Sequence, residues 1–230
     1  MKKGFYDGLT IAEATTIQND LRSKQQITHR DTPVTTIAGA DISLNLHSTT
    51  IYAGIILLSY PDMRPLAYSL VKAETHFPYV PGFLAFREVP ALVDVWQQMG
   101  VKPDVLVVDG HGIAHPRRMG IAAHFGALTG QASMGCAKNI LCGKYDEPAP
   151  TRGSSSIIYD KGEAIGYALR SKDKTTPVYI SPGQGLSLED SLDIAKHSLG
   201  KYRIPEPTRR AHELVNRFRI GDLKEGYYKV

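Results

Sequence analysis

The sequence predicts a mixed α/β fold in which one β-sheet is flanked by helices. Three β-rich runs follow one another between residues 35 and 76, which is typical of an antiparallel meander. A short apolar run at residues 105–108 then lies between two helical stretches, as in a wound α/β unit. With 42% hydrophobic residues, the 230-residue chain can bury a full core, and we expect a single domain over residues 1–230.

The first elements follow from side-chain periodicity. Residues 10–26 place apolar side chains at helical spacing, which predicts an opening helix. β-Branched and aromatic residues are frequent in the next three runs, so the meander is predicted at TTIAGADISL, TIYAGIILLSY and PLAYSLVKAETH.

The pattern changes in the second part of the chain. Helices are predicted near residues 88–99 and 119–129, on either side of the strand at 105–108, and a further strand is predicted near 132–137. Residues 143–156 are rich in Gly, Pro and Ser, which predicts a loop. Short strands are then predicted at SIIYD, AIGYALRS and TPVYIS, followed by helices near 187–199 and from about Pro207.

Charge and cysteine content limit the class of protein. The net charge of +4 permits a polyanionic partner without establishing one. Cys136 and Cys142 are too few for a disulfide framework and lack the C-x2-C spacing of a structural zinc site, so they suit a reducing compartment. The sequence has no apolar run of about 18 residues and no basic-then-apolar leader, so we expect a soluble cytoplasmic protein without membrane contact.

Two aspartates lie where the predicted strands favour a ligand site. Asp109 ends the apolar run in VLVVDGHG, and ligands of α/β sheets gather at the carboxyl ends of such strands, although Asp-Gly also occurs in plain turns. Asp41 shares a strand face with Ile37 and Gly39, where burying an unpaired carboxylate costs on the order of several kcal/mol. A metal or hydrogen-bond donors explain that position, and so does an edge strand that faces water.

Glu88 is the third acid of interest. It precedes Pro90, which is disfavoured inside a helix, so we expect the helix to begin near Val89 with Glu88 at its start. A glutamate that only compensates the helix dipole explains that position equally well. Three close carboxylates repel one another unless a divalent cation offsets their charge, and their oxygens suit Mg²⁺ or Mn²⁺. If the fold brings them together, the three acids predict a metal site for phosphodiester hydrolysis.

A competing ligand pair is formed by His111 and His115, whose four-residue spacing suits zinc on a helix. Gly110, Gly112 and Pro116 predict a loop instead. The two histidines then contact phosphate, orient a ligand or face solvent.

Other segments carry weaker signals. Tyr79 lies in the stiff loop HFPYVPGF, where it either inserts into a base stack or packs against the protein. Arg117 and Arg118 precede a predicted helix and Lys138 follows a predicted strand, so they either hold phosphate or are solvated charges. His212, beside arginines in the last predicted helix, is either a base near metal or phosphate or an ordinary surface residue.

These motifs resemble endonuclease V, a family of DNA repair nucleases in the ribonuclease H-like superfamily. The blocks AGADIS, PYVPGFLAFRE, VDGHGIAHPRRMGIAAHFG and YRIPEPTRRAH are similar to those of the family, in the same order, from about Ile37 to His212. The resemblance implies a ribonuclease H-like mixed sheet and a Mg²⁺-dependent deoxyribonuclease, with Mn²⁺ as a substitute metal.

The resemblance also implies roles for individual residues. Asp41 and Asp109 would be direct Mg²⁺ ligands, Glu88 a further acid of the catalytic site and His212 a nearby catalytic assistant. Tyr79 resembles the wedge that fills the gap left by an extruded base. The pocket for a flipped hypoxanthine would be lined by Gly82, Leu84, Gly110, Ile121 and Gly135, and the phosphate would be bound by His115, Arg117 and Lys138.

The implied reaction is hydrolysis of the second phosphodiester bond 3' to deoxyinosine, which leaves 3'-hydroxyl and 5'-phosphate ends. The expected partner is DNA with deaminated bases, and we expect a monomer. An enzyme that prefers inosine-containing RNA and a non-catalytic nucleic-acid-binding module are the alternatives. Two departures concern the phosphate side: Gln184 stands where many relatives have histidine, and some relatives have aspartate at the position of His212.

Overall fold

A computed structural model describes residues 4–45 and 48–230 of the chain. Its helices are α1 (Ile11–Lys24), α2 (Leu84–Gln98), α3 (Ile121–Thr129), α4 (Leu188–His197) and α5 (Glu206–Arg219). Its strands are β1 (Thr36–Leu44), β2 (Thr50–Ser59), β3 (Pro65–Glu74), β4 (Val105–Val108), β5 (Ser133–Ala137), β6 (Ser155–Asp160), β7 (Glu163–Leu169), β8 (Val178–Gln184) and β9 (Gly226–Lys229). All these strands belong to one sheet, in the order β6-β7-β8-β5-β4-β1-β2-β3-β9.

The predicted antiparallel meander is confirmed. β1 pairs with β2, and β2 pairs with β3, both antiparallel, and Asp41 lies opposite Gly54 in this register. β9 adds antiparallel to β3 and was not predicted, because GYYK is only four residues long and begins with glycine.

The centre of the sheet is parallel. β4 pairs with β1 on one side and with β5 on the other, so the carboxyl ends of these three strands meet at the same edge of the sheet. β8, β7 and β6 continue the sheet from β5 in antiparallel pairs. This mixed topology confirms the predicted fold class.

Helices cover both faces of the sheet, because the side chains of β1 alternate between two cores. Ala38 and Ala40 pack in the core that contains the buried residues of α2 and α3. Ile37 packs in the other core, which contains residues of α4 and α5. Asp41 is therefore on the face of β1 that α5 covers.

Gly39 decides how closely α5 approaches β1. A Cβ atom built on Gly39 would lie 1.9 Å from the carbonyl oxygen of Pro207, in the first turn of α5. Any larger residue would push the helix away from the strand. The glycine thus permits the contact that brings α5 over the aspartate two residues further along β1.

The predicted start of α2 is wrong. The helix begins at Leu84, and Pro90 lies inside it. Proline is disfavoured there because it cannot bond the carbonyl of the preceding turn, but burial of Phe86 and Val89 on the apolar face outweighs that cost. Glu88 consequently lies one turn after Leu84, on the same side of the helix, rather than at its entrance.

The start of α4 agrees with its predicted capping signal. The side chain of Ser187 accepts a hydrogen bond from the Asp190 backbone N–H. The side chain of Asp190 in turn accepts a hydrogen bond from the Ser187 backbone N–H. In the part of the chain described above, no helix combines the length and hydropathy that crossing a membrane requires.

Candidate active site

The two strand-borne aspartates come together at the carboxyl edge of the parallel strands. The backbone N–H of Asp109, just after β4, donates to the carbonyl oxygen of Ala40 on β1 at 3.0 Å. This bond extends the parallel pairing of β1 and β4 by one residue and sets Asp109 beside Asp41. The sheet register therefore creates the carboxylate pair that the sequence only suggested.

Helix α5 adds His212 to this pair. His212 Nδ1 lies 2.8 Å from Asp41 Oδ2, and its Nε2 lies 3.0 Å from the side-chain nitrogen of Asn216, one turn further along the helix. Ligand atoms of Asp41, Asp109 and His212 all lie within 4.8 Å of one another. The imidazole is held at both ring nitrogens, which fixes its orientation toward the acids.

Glu88 reaches the same site from the opposite face of the sheet. Burial, together with the nearby charges of Asp41 and Asp109, raises the pKa of Glu88 to about 8. Burial and the charge of Asp109 also raise the pKa of Asp41, against hydrogen bonds from the Ile42 backbone and His212. The three acids thus concentrate more negative charge than the protein around them stabilises.

Lys138 partly offsets this charge. Its ammonium group lies 2.5 Å from Asp109 Oδ2. Partial burial lowers the pKa of Lys138, but the hydrogen bond and charge of Asp109 raise it above its ordinary value overall. Lys138 was predicted at the phosphate, and in the structure it lies against the acid pair.

The donor set fits a hard divalent cation. Two carboxylates with converging oxygens and a third acid with a strongly raised pKa provide the oxygen ligands that Mg²⁺ and Mn²⁺ accept. A cation held by Asp41 and Asp109 would remove the repulsion that raises the pKa of Glu88. Zinc held by His111 and His115 has no comparable support, because the segment is a loop as predicted.

A pH-dependent stability is expected from Glu88. Its folded-state pKa lies above its unfolded-state value, so its protonated form stabilises the fold at low pH, and this contribution is lost as pH rises through about 8. Metal-free protein should lose on the order of 1 to 2 kcal/mol of unfolding free energy between about pH 6 and about pH 8.5. Urea titrations in EDTA measure this loss, which Mg²⁺ should reduce.

The Glu88→Gln variant provides the matched comparison, since it keeps the shape and removes the titration. Its unfolding free energy should change much less over the same pH range. A variant with the same pH slope as the unmodified chain would show that Glu88 is not the titrating group.

A cavity of about 220 Å³ opens next to the acid cluster. Four of the five residues predicted for a base pocket line it, namely Gly82, Leu84, Gly110 and Ile121. Gly135 does not: it lies beneath the turn that follows β4, where a Cβ atom would be 2.4 Å from the Gly110 carbonyl oxygen. The cavity wall is completed by Tyr79, Val80, Pro81, Ala85, His111, His115, Met119, Gly120 and Leu141.

Tyr79 stands at the rim of this cavity with 72% of its surface exposed. It directly precedes a tight turn, in which the Phe83 N–H donates to the Val80 carbonyl oxygen at 2.9 Å. Pro81 and Gly82, with a φ of 81° at Gly82, occupy the positions that they prefer in a type II turn. A large exposed ring on a rigid turn is free to contact a bound molecule.

The two histidines of the loop after β4 do not both face solvent. His115 is buried, and its Nδ1 accepts a hydrogen bond from the Arg117 N–H at 3.2 Å. Burial and the neighbouring positive charge of Arg117 lower the pKa of His115 to about 4. His111 Nε2 lies 3.0 Å from the Asn139 carbonyl oxygen. At neutral pH His115 therefore offers the cavity a neutral ring rather than a cation.

The two arginines of PRRMG are both engaged by the protein. Arg118 is buried in ion pairs with Asp160 and Glu163 at 2.9 and 2.7 Å. Arg117 donates to Gln18 and to the Gly82 carbonyl oxygen, both at 2.6 Å. Neither guanidinium is a free surface charge.

Two residues that contact the candidate site, Asn216 and Gln18, were not predicted from the sequence. Asn216 could have been found from its four-residue spacing to His212 on a helix. Gln18 could not, because α1 is far from the cavity in sequence. Gln184 contacts the segment just after α1, where its Oε1 accepts a hydrogen bond from the Gln26 N–H at 2.9 Å.

The sheet order and the acids at the ends of adjacent parallel strands define a protein of the ribonuclease H-like class. The sequence pattern of the Endonuclease V family matches residues 16–213. An endonuclease V of Trichormus variabilis is 42% identical over 212 residues, which cover 90% of this chain and 95% of that protein. The chain belongs to the endonuclease V family.

Solved structures agree with this assignment. Endonuclease V of Streptomyces avermitilis superposes with a TM-score of 0.88 at 33% identity, covering 93% of this chain and 94% of that one. Endonuclease V of Ciona intestinalis, in complex with a 24-mer DNA containing an inosine followed by a ribo-adenosine, superposes with a TM-score of 0.81. It is 27% identical, and the match covers 93% of this chain and 99% of that one.

Proposed function

We propose that this endonuclease hydrolyses the second phosphodiester bond 3' to deoxyinosine in DNA, and leaves 3'-hydroxyl and 5'-phosphate ends. The observation that carries the proposal is the position of the cavity beside the acid cluster. Gly110 lines the cavity and directly follows Asp109, while Leu84 lines it one turn before Glu88. A base bound in the cavity would thus bring the phosphate backbone of its own DNA strand next to the acid cluster.

The cavity has the size and character for an extruded base. An apolar cavity of about 150 Å³ holds a benzene-sized ring, so about 220 Å³ has room for the two fused rings of a purine. Gly82 and Gly110 lack side chains, so their backbone groups can approach the edge of the base. DNA bound to the Ciona intestinalis protein contains inosine, which supports hypoxanthine as the base.

Asp41 and Asp109 would hold Mg²⁺, with Glu88 as the third acid of the site and Mn²⁺ as a substitute. When bound there, the ion supplies Lewis-acid activation of water and neutralises charge in the transition state. His212, oriented by Asp41 and Asn216, would assist the reaction beside the acids, and it would take a proton from the attacking water at Nε2 once Asn216 releases that nitrogen. Lys138, against Asp109, is the cation available for a phosphate nearby.

The direct test uses a labelled duplex with a single inosine. Mg²⁺ should produce one nick at the second bond 3' to the inosine, and EDTA should abolish it. End-group analysis should find a 3'-hydroxyl and a 5'-phosphate. A nick elsewhere would contradict the proposed position, and no metal-dependent nick would contradict the activity.

A matched inosine-containing RNA tests the substrate class. The two substrates differ in the 2'-hydroxyl, so equal loading and sequence isolate its effect. We expect faster cleavage of DNA, and faster cleavage of RNA would reassign the substrate.

The continuous sheet supports a single domain over residues 1–230, and we propose that this domain acts as a monomer.

A further inference from the structure

We infer that Gln18 of α1, acting with Arg117, positions the tight turn that directly follows Tyr79 and thereby sets lesion discrimination. The inference rests on the proposed function and adds two positioning residues to it. We call this pair the Gln18–Arg117 latch.

The latch is a closed ring of hydrogen bonds. Gln18 Nε2 donates to the Gly82 carbonyl oxygen at 3.0 Å, and Gln18 Oε1 accepts from Arg117 Nε at 2.6 Å. Arg117 Nη2 donates to the same Gly82 oxygen at 2.6 Å. Gln18 is only 1% exposed, and both ends of its amide are used. A buried amide with both ends bonded holds its partners in one geometry.

The bonded carbonyl belongs to the tight turn next to Tyr79. Because the Val80 carbonyl oxygen already accepts the N–H of Phe83, the turn is rigid within itself. Bonding of the Gly82 oxygen by two donors then fixes the whole turn relative to α1 and to the loop after β4. The exposed tyrosine ring therefore has a rigid base, which inserting into a base stack requires.

Packing around Arg117 supports the same assignment. Its guanidinium carbon lies 4.2 Å from the ring centre of Phe83, and no ion pair links Arg117 to an acid among the described residues. A Cβ atom on Gly82 would lie 2.7 Å from Arg117 Nη2, so the glycine also makes room for the guanidinium. The guanidinium of Arg117 thus bonds to Gln18 and to the Gly82 carbonyl oxygen, where the guanidinium of a surface arginine would bond to water.

The consequence is a role for α1 in reading the substrate. This helix contributes no residue to the acid cluster and none to the cavity wall. The side chain of Gln18 instead holds the turn that forms one side of the cavity. Loss of the latch should loosen the turn, so that Tyr79 inserts less selectively at a damaged step.

Gln18→Leu tests the inference, with Gln25→Leu as the matched control. Gln25 follows the same helix and likewise donates its side-chain amide to a glycine carbonyl, that of Gly183 at 2.5 Å, but on β8. Gln18→Leu should lower the ratio of kcat/KM for inosine-containing over undamaged duplex roughly tenfold, the size expected for a lost bond to a charged group. Gln25→Leu should leave that ratio unchanged.

Two further measurements separate positioning from general destabilisation. Amide hydrogen exchange at residues 80–84 should be faster in Gln18→Leu than in Gln25→Leu, without any substrate present. Gln18→Glu keeps the acceptor for Arg117 but removes the donor to the Gly82 carbonyl oxygen, so its discrimination should stay below that of the unmodified chain.

Other outcomes would overturn the inference. Equal loss of discrimination in both leucine variants would make Gln18 merely structural. Arg117→Lys gives a further test. If it weakens binding to damaged and undamaged duplex equally, and reduces the slope of log binding constant against log salt concentration by about one, Arg117 binds phosphate and the latch is wrong. Failure of the unmodified chain to nick an inosine duplex would contradict the proposed function, whereas unchanged exchange at residues 80–84 would contradict the latch alone.

Discussion

Asp109→Asn is expected to lower Mg²⁺-dependent nicking of an inosine duplex by at least about a thousandfold. The substitution keeps the shape of the side chain but removes one of the two carboxylates that converge at the ends of β1 and β4. A neutral amide is a much weaker ligand for a hard cation. Single-turnover rates with saturating enzyme measure the chemical step, and the variant should still bind the duplex when Ca²⁺ replaces Mg²⁺.

Asp104→Asn is the matched control for that variant. Asp104 precedes β4, whereas Asp109 follows it, so the two acids lie at opposite ends of one strand. Asp104 Oδ2 accepts hydrogen bonds from the backbone N–H groups of Thr35 and Thr36, both at 2.9 Å. Its replacement should reduce stability by about 1 to 2 kcal/mol and leave nicking intact. Loss of duplex binding in Ca²⁺ by Asp109→Asn would instead assign Asp109 to folding or binding.

Tyr79→Ala is expected to reduce discrimination between inosine-containing and undamaged duplex by about ten- to a hundredfold. Stacking of an aromatic side chain on a base contributes about 1 to 3 kcal/mol, and alanine removes all of it. Because the ring is 72% exposed, the unfolding free energy should change by less than about 0.5 kcal/mol. The Mg²⁺ concentration at half-maximal rate should not change, since Tyr79 is not among the acids.

Tyr79→Phe is the control, because it keeps the ring and removes only the hydroxyl. It should nick with nearly normal discrimination. If Tyr79→Ala raises the Mg²⁺ concentration at half-maximal rate by the same factor by which it lowers the discrimination, Tyr79 does not act as a wedge. Fluorescence of 2-aminopurine placed beside the inosine would show directly whether the ring unstacks that step.

Local patterns in the sequence determined most of the secondary structure. The meander of β1, β2 and β3, the buried strand β4 and the capping of α4 follow from side-chain alternation, apolar runs and the Ser187–Asp190 spacing. The same patterns failed for the start of α2, because the cost of Pro90 is local and the burial that outweighs it comes from the whole core. They also missed β9, whose pairing with β3 depends on a partner more than 150 residues away.

The acids of the site were identifiable as residue types at suggestive positions. That Asp41 and Asp109 lie side by side was decided by the parallel register of β1 and β4, which no local pattern specifies. Gly39 allowed α5 to approach closely enough for His212 to contact Asp41, and this contact depends on tertiary packing.

The sequence by itself determined the fold class, the candidate acids of the site and, through the resemblance of its motifs, the family. Tertiary structure decided which of these residues come into contact. It brought Lys138 against Asp109, left Gly135 beneath the turn after β4 and outside the cavity lining, and bonded Arg117 to Gln18. The physical reason is that a hydrogen bond or ion pair requires atoms within about 3 Å, and only the packed fold brings distant segments that close.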